Sequence, residues 1–472
     1  MTGNGWSHPR RVGGLAACLA GALTGTGFVA VPAQAQQANP LHEAIGAPDA
    51  LVLRGSIRSR TEAIAGQFRP TAAKDDVLQS FRTIVFAEYD AGPVRIGGEL
   101  RDARGYGERR RSSAGVSEIN ALEPVQAYVG LDLDQVTGTG TSGLLAAGRF
   151  TMEIGAGRLV GRPDFPNSIN SFTGVSLDWH DAAKDRLTLF WTMPSTRLPG
   201  DVDALHDNRV QWDRARGAVQ FFGGSFNKAG LFGNVAAEAY LFRLAERDSD
   251  AQPTRNRHLV TYGGRVVRAP AAGAFDMEVE AAGQTGRARA TTAASDRADL
   301  PVYAYFVHAE IGRKFKGGWS PRVSLHGDYA SGDDADPDHL TRFDTLYGAT
   351  RVDFGPTGLY GALTRSNLLS GGVRVEVAPS KRVDAFVMAR DLWLANTTDS
   401  FAATGLRDRT GRSGRHAGGQ VEARVRYWLV PRMLRLEGGG AVLAKGEFLR
   451  HAPNVQDRAA TRYGYLDISA EF

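Results

Sequence analysis

The sequence predicts an all-β fold: a transmembrane antiparallel β-barrel of about 18 strands, with long extracellular loops and short periplasmic turns. Three observations predict it. The chain begins with an export signal, many segments alternate between apolar and charged residues, and no apolar run after the signal is long enough for a membrane helix. The glycine content agrees with this class: 57 of 472 residues are Gly, about 12% against an average near 7%.

The first 35 residues have the organisation of a secretory signal peptide, which is removed and takes no part in the fold. The basic pair Arg10-Arg11 precedes a run of apolar and small residues, and Ala33-Gln34-Ala35 supplies an A-x-A cleavage site. A lipoprotein signal ending at Cys18 is the alternative, but too few apolar residues precede that cysteine. We therefore expect a signal peptide over 1–35 and a barrel domain over 36–472.

Removal of the signal also removes Cys18, the one cysteine of the chain. The mature protein is then without disulfides, thiolate catalysis or cysteine metal sites. Loss of the basic pair lowers the formal net charge from +5 to +3. That balance gives no indication of nucleic acid binding.

Seven segments show the two-residue period of a strand with one apolar and one charged face. A soluble sandwich would alternate in the same way, but here the pattern continues through the whole mature chain without a linker. Aromatic residues recur near the expected strand ends, as in the two interfacial girdles of a membrane barrel; they are Trp179, Trp191, Trp319, Trp393, Trp428 and Tyr463. The alternating segments are "PVRIGGELR" (93–101), "YVGLDLD" (128–134), "GLLAAGRFTME" (143–153), "FDMEVEA" (275–281), "YAYFVHAEI" (303–311), "GVRVEVA" (372–378) and "QVEARVRYW" (420–428).

The size of the barrel follows from the chain length. At roughly 24 residues for each strand with its connection, the chain after residue 35 accommodates about 18 strands, within the range of bacterial barrels. A barrel of this width should enclose an aqueous lumen. Strand-like sequence already begins at Leu51, which leaves no room for an N-terminal plug domain.

The connections should alternate between tight turns and long outer loops. The acidic stretch "SGDDADPDH" (331–339) lacks the Gly and Glu that an EF-hand loop starting at Asp334 would need. It therefore reads as a solvated loop that could hold an adventitious Ca²⁺ at 333–338, and no other cofactor is expected. We expect long loops at about 195–213, 245–258, 286–300, 330–370, 396–418 and 446–461.

Longer stretches of the chain resemble the alginate export family of outer-membrane barrels. The resemblance covers essentially the whole mature chain and implies a monomeric barrel of the bacterial outer membrane through which an anionic polysaccharide leaves the cell. It also implies contact with membrane lipid and lipopolysaccharide, and with periplasmic polysaccharide-secretion components. The stretches are "GRFTMEIGAGRLVGRPDFPNSINSFTGVSLDW" (148–179), "RLPGDVDALHDNRVQWDR" (197–214), "WSPRVSLHGDYASGD" (319–333), "FDTLYGATRVDFGPTGLYG" (343–361) and "RSNLLSGGVRVEVAP" (365–379).

The basic residues are 49 Arg and only 7 Lys. Planar guanidinium groups bind carboxylates bidentately, so a ring of them would offer a chain of sugar acids successive weak sites. Alternation and the adjoining loop predict that the pore is lined by Arg95, Glu99, Arg101, Asp132, Asp134, Arg149, Arg158, Arg162, Arg374, Glu376, Arg424 and Arg426. Glu153, Glu278, Glu280 and Glu422 are expected to face the same way.

Three alternatives stay open. Interleaved Arg and acidic residues could form salt-bridge ladders that stiffen the wall without touching a solute. The barrel could also be a diffusion porin for small anions or sugars. An outer-membrane hydrolase is the third, because His180, His308 and His326 lie on polar faces that also carry Ser176 and Ser324. Same-face neighbours on a strand are about 7 Å apart, and no GxSxG or HExxH motif occurs, so we expect no enzyme.

The chain ends on an alternating strand, "RYGYLDISAEF". A closed barrel has no free edge, so this strand should pair with the first, near 51–64. Phe472 should then be covered by lipid at the periplasmic interface. A terminal aromatic also resembles the signal by which the barrel assembly machinery recognises its clients.

Overall fold

The computed structural model describes residues 40–134, 141–249 and 252–472. The expected signal peptide, 1–35, lies outside these residues. A short helix, Pro40–Ile45, precedes the first strand. No helix in the described ranges is long and apolar enough to cross a membrane.

The described ranges contain nineteen strands, and eighteen of them form the wall. The other one, β8, has two residues, pairs with the end of β7 and stands apart from the wall, since β7 pairs directly with β9. The strands are β1 (Leu51–Ala65), β2 (Asp76–Asp90), β3 (Val94–Tyr106), β4 (Asn120–Asp132), β5 (Ser142–Phe150), β6 (Phe172–His180), β7 (Arg186–Thr196), β8 (Arg214–Ala215), β9 (Val219–Phe232), β10 (Val235–Glu246), β11 (His258–Arg268), β12 (Phe275–Ala288), β13 (Leu300–Lys314), β14 (Arg322–Ala330), β15 (Leu368–Ser380), β16 (Val383–Trp393), β17 (His416–Val430), β18 (Leu434–Lys445) and β19 (Thr461–Glu471).

The wall is closed. Every neighbouring pair is antiparallel, and β1 pairs with β2 on one side and with β19 on the other, from Ser56↔Glu471 to Ala65↔Arg462. The predicted barrel of about 18 strands and its closure by the last strand are confirmed. Closure leaves no unpaired edge, as a sheet surrounded by lipid requires.

In the described residues, the start of β1, the end of β19 and the short connections lie at one end of the barrel, which is the periplasmic end by the usual asymmetry. The sequence analysis does not predict three of the long loops at the other end, 66–75, 107–119 and 151–171. Two of them, 66–75 and 151–171, carry apolar residues that are buried, such as Phe68 and Val160, instead of the polar composition of a solvated loop. The long loops are 66–75, 107–119, 151–171, 197–218, 247–257, 289–299, 331–367, 394–415 and 446–460. Short helices lie within three of them: Val202–His206, Arg351–Phe354 and Glu447–His451.

The two faces of the wall follow the predicted alternation in most strands. In β12, Phe275 and Val279 are exposed on the outer face, while Asp276 and Glu280 are buried on the inner face. In β15, Val373 is likewise exposed on the outer face. Lipid is the solvent for the outer face, so exposed apolar side chains are stable there.

Four positions depart from the sequence prediction. β4 ends at Asp132, so Asp134 lies in the following connection and is exposed, not on the lumen wall. β5 ends at Phe150, so Glu153 belongs to the loop that follows. Arg149 shares the face of exposed Leu145, because this strand turns its apolar Leu144, Ala146 and Phe150 inward. Tyr463 is not part of a girdle: it is buried inside the barrel, where its hydroxyl donates to Glu62 Oε2 at 2.9 Å.

Two apolar clusters fill the loop end of the barrel. One joins wall residues such as Phe221 and Phe306 to Val160 and Phe343 of the loops, and the other is built around Phe165 of a loop. The expected open aqueous lumen is therefore wrong at this level. The inner face of the strands is apolar toward the loops and charged toward the turns, so the loops have a surface on which to bury their own apolar side chains.

Candidate functional site: a loop-filled lumen above an arginine pocket

The β5–β6 loop (151–171), called here the crossing loop, spans the interior. Its Arg162 donates to both carboxylate oxygens of Glu99 in β3 at 2.9 Å. Its Arg158 donates to Glu280 in β12 at 2.7 Å. In the opposite sense, Arg58 of β1 donates to the carbonyl oxygens of Asp164 and Phe165 at 2.8 and 3.0 Å. β12 is far around the wall from β1 and β3, which are separated by β2 alone, so the loop is held from two sides of the barrel.

The β14–β15 loop (331–367) meets the crossing loop at a buried carboxylate, Asp353. Arg158 donates to it from Nε and Nη2, both at 2.9 Å, and Arg365 donates as well. Arg390 of β16 donates to its backbone carbonyl at 2.6 Å. Burial alone would raise the pKa of Asp353, but Arg158, His308 and Arg365 hold it well below its usual range. The carboxylate therefore stays charged and joins both loops to the wall.

Aromatic packing adds a second connection between the loops. The guanidinium carbons of Arg60, from β1, and Arg351, from the β14–β15 loop, each lie 3.8 Å from the ring centre of Phe165. Arg60 is itself fixed by Asp467 of β19, at 2.8 Å. Cation–π contacts of buried rings are worth about 2 kcal/mol, so this arrangement stabilises the loops against the seam where the barrel closes.

A small cavity lies between the β14–β15 loop and the wall. It has a volume of about 160 Å³, and its lining includes Arg351, Arg374, Phe386, Glu422 and Arg424; we call these five residues the arginine pocket. Arg374 and Arg424 place their guanidinium carbons 3.9 and 4.9 Å from the ring centre of Phe386. The pocket therefore combines an aromatic face with planar cations.

The arginines around the pocket share carboxylate partners. Arg424 and Arg426 share one carboxylate, that of Asp384, at 2.9 and 3.0 Å. Arg374 shares Glu376 with Arg322, at 2.8 and 2.9 Å. Arg322 also contacts Asp276 and Glu310, Arg351 contacts Glu437 at 3.3 Å, and Glu422 lines the pocket. The cations are therefore matched by acids, but several of them share a partner.

The predicted pore residues divide into three groups. Arg158 and Arg162 belong to the crossing loop and hold it in place, while Arg374, Glu376, Arg424 and Arg426 lie at or beside the arginine pocket. The others lie in β3, β4, β5 and the β4–β5 connection and are not brought together with the pocket. Nearly all the Arg have acidic partners, as in the salt-bridge alternative: Arg95 with Glu88 and Asp132, Arg149 with Glu123, Arg158 with Glu278, Glu280 and Asp353, and Arg162 with Glu99, while Arg101 donates to the amide oxygen of Asn120.

Several lumen residues escaped the sequence prediction. Arg58, Arg60 and Glu62 alternate within β1, a signal that was present in "RGSIRSRTEAI" but was not used. Phe386 lies on the inner face. Because alternation assigns apolar residues to the outer face, it does not predict an aromatic residue there. Arg351 and Arg365 come from a loop that folds into the barrel, and no periodicity of a strand could find them.

One expectation about catalysis was wrong. Ser324 and His326 were expected to be too far apart to share a proton, but Ser324 Oγ lies 2.9 Å from His326 Nε2. The imidazole of His326 reaches along the strand and closes the gap to its same-face neighbour. Ser324 is 1% exposed and also accepts from Arg322 at 3.3 Å, so its hydroxyl does not face a space that a substrate could enter.

The acidic stretch in the β14–β15 loop forms local turns. Asp334 accepts from the backbone N–H of Asp336 at 3.2 Å, and Asp336 accepts from that of Asp338 at 2.8 Å. His339 contacts Asp334 at 3.1 Å. The adventitious Ca²⁺ at 333–338 stays a prediction.

The model of the family described as alginate export matches residues 50–463. The chain belongs to the alginate export family. No protein with a curated description matches it.

Similar solved structures come from Pseudomonas aeruginosa. OccK2 (OpdF) in complex with glucuronate is 12% identical, with a TM-score of 0.53 over 89% of this chain and 96% of that one. OccK9 (OpdG) is 13% identical, with a TM-score of 0.56 over 89% and 98%. The outer membrane protein OpdK is 13% identical, with a TM-score of 0.54 over 89% and 99%. At these identities the likeness shows the fold, a closed barrel of 18 antiparallel strands.

Family and fold together place this alginate export family member in the bacterial outer membrane as a channel. Both are types of channel, not of enzyme.

Proposed function

We propose that this outer-membrane channel passes an anionic polysaccharide of the alginate type, or related anionic solutes, and that the arginine pocket receives their carboxylates. The observation that carries the proposal is the convergence of Arg351, Arg374 and Arg424 on one cavity at the turn side of the loops. A guanidinium binds a carboxylate through two parallel hydrogen bonds, and Phe386 offers an apolar face to a sugar ring.

Two further points support this proposal. The family is described as alginate export, and one solved structure with the same fold was obtained with glucuronate, a sugar acid. Binding in a channel must also be weak enough for release. Shared carboxylate partners suit that need, because Asp384 and Glu376 compete with an incoming anion for the same cations.

A second candidate, a diffusion porin for small anions or sugars, is favoured by the packed interior. The crossing loop and the β14–β15 loop bury apolar side chains across the lumen, and a polymer needs a wider passage than a single sugar acid. Passage of a polymer therefore requires these two loops to move apart, whereas a small solute could follow the charged margin of the lumen.

Substitution of the pocket tests the proposal. In planar bilayers under a salt gradient, we expect the Arg374→Gln, Arg424→Gln double variant to lose most of its preference for anions. Its affinity for oligouronate should fall about tenfold or more, as for loss of charged hydrogen bonds. Arg412→Gln, at an exposed position of an outer loop, is the matched control and should behave as wild type. Unchanged selectivity and unchanged oligouronate affinity in the double variant would refute the role of the pocket.

A further inference from the structure

Two histidines face each other on the inner wall, outside the arginine pocket. They lie on neighbouring strands β13 and β14, where His308 is paired with Asp328 and Glu310 with His326 in the register of the sheet. All four side chains belong to the inner face. His308 is 1% exposed, and apart from its effect on the pKa of Asp353 the channel function described above gives it no role.

One nitrogen of each ring is oriented by a neighbour. His308 Nδ1 lies 2.7 Å from Asp328 Oδ1, and His326 Nε2 lies 2.9 Å from Ser324 Oγ. The other nitrogen of each ring, His308 Nε2 and His326 Nδ1, is buried and has no hydrogen-bond partner among the described residues. A buried ring nitrogen without a partner is costly unless something binds it.

Those two free nitrogens share their surroundings with a carboxylate. His326 Nδ1 lies 3.5 Å from Glu310 Oε2, and the ligand atoms of His308, Glu310 and His326 all lie within 4.8 Å of one another. Arg322 bonds the other oxygen, Oε1, and so orients the carboxylate. In a tetrahedral zinc site the ligand atoms are about 3.3 Å apart, given bonds of about 2.0 Å, so a shift of about 1 Å in these side chains completes the set.

We propose that His308, Glu310 and His326 bind a divalent transition-metal ion, with Zn²⁺ the ion that suits them best. Two imidazoles and one carboxylate are a common zinc ligand set that leaves a fourth position open. Asp328 and Ser324 act as the outer partners, since a ligating histidine holds its second nitrogen in a hydrogen bond to a carboxylate or another polar group. The ion would join β13 to β14 beneath Asp353.

The competing arrangement is an ion-pair network without metal. His308 Nε2 lies 4.0 Å from Asp353 Oδ1, so a protonated His308 between Asp328 and Asp353 would also be stabilised. The two arrangements differ in one measurable respect. The network requires a proton on the nitrogen that the metal site requires to be free.

Titration of the folded barrel with Zn²⁺ tests the proposal. After treatment with a chelator and its removal, calorimetry should show one equivalent of Zn²⁺ bound. We expect Glu310→Gln and His326→Gln to weaken this binding by about 100-fold. His416→Gln is the matched control: His416 also forms a pair with an aspartate, Asp391, at 2.7 Å, and its loss should change nothing.

Binding that survives Glu310→Gln and His326→Gln, or that disappears only with His339→Gln in the acidic loop, would overturn the site. Absence of binding would overturn it too. X-ray absorption of the zinc-loaded wild type needs no variant to fold: two imidazole ligands are expected, and fewer than two would contradict the proposal.

Discussion

Asp353 joins the two loops that fill the lumen to each other and to the wall. Arg158 of the crossing loop and Arg365 of its own loop both bond its carboxylate, and Arg390 of the wall bonds its carbonyl. Removing one member of a buried ionic cluster costs more than the cluster contributes, because the remaining charges stay buried without compensation.

We predict that Asp353→Asn destabilises the barrel by about 3–5 kcal/mol and raises the single-channel conductance, since the two loops lose their common anchor. Unfolding followed by heat-dependent gel mobility measures the first effect, and bilayer recording measures the second. Asp338→Asn, at an exposed position of the same loop, is the control. Wild-type conductance in a folded Asp353→Asn barrel would show that this carboxylate does not hold the loops.

Glu118, in the 107–119 loop, makes the stability of the barrel depend on pH. Burial raises its pKa to about 7, and the neighbouring Glu62 carboxylate acts in the same direction, against the Gly115 N–H and Arg197. The folded state therefore binds this proton more tightly than the unfolded chain, where the acid titrates near 4.5. The stabilisation is complete below pH 4.5 and is lost as the pH rises through 7.

We therefore predict that wild type loses thermal stability relative to Glu118→Gln as the pH rises from 5 to 8, because the glutamine stays neutral throughout. The quantity to follow is the difference between the two unfolding midpoints at each pH. A difference that stays constant across this range would mean that Glu118 keeps one protonation state.

At the scale of elements, the last strand brings Phe472 against Gly55 of the first strand. Phe472 and Gly55 exchange two backbone hydrogen bonds, at 2.6 and 2.9 Å, and so extend the pairing of β19 with β1. The ring of Phe472 covers Gly55 so closely that a Cβ there would overlap it. The ring thus has a defined position on the outer face at the seam.

We predict that deletion of Phe472 impairs assembly into the outer membrane far more than it alters the pore, and that Gly55→Val has a similar, milder effect because it displaces the ring. The yield of folded barrel in isolated outer membranes measures both. Gly371→Val is the matched control, since this strand glycine has open space around it. Normal yield of the Phe472 deletion would count against the seam.

Strands were predictable and inward-folding loops were not. A strand of the wall meets lipid on one face, and this imposes a period of two that survives in a single sequence. β5 departs from the alternation of apolar and polar residues. Its inner face packs against the crossing loop, so both of its faces are apolar. The ends of β4 and β5 at Asp132 and Phe150 depend on backbone pairing that alternation does not record.

At the scale of the whole molecule, the sequence could assign charged residues to the lumen but not their partners. Arg374, Arg424 and Arg426 were predicted from alternation alone, and they do lie on the inner face. Phe386 and Arg351 complete the arginine pocket. Phe386 is an apolar residue on the inner face, against the alternation, and Arg351 belongs to the β14–β15 loop. Contacts between a loop and a distant strand depend on tertiary folding, which no local period encodes.

Conductance through the intact barrel tests the proposed solute most directly. Conductance of the purified wild type should be recorded in a planar bilayer, first in salt alone and then with oligouronate added on the side of the short turns. We expect an anion-preferring current that oligouronate reduces in a concentration-dependent way, and no response to a neutral oligosaccharide of the same length. A cation-preferring current that is indifferent to oligouronate would rule out the proposed anionic solute.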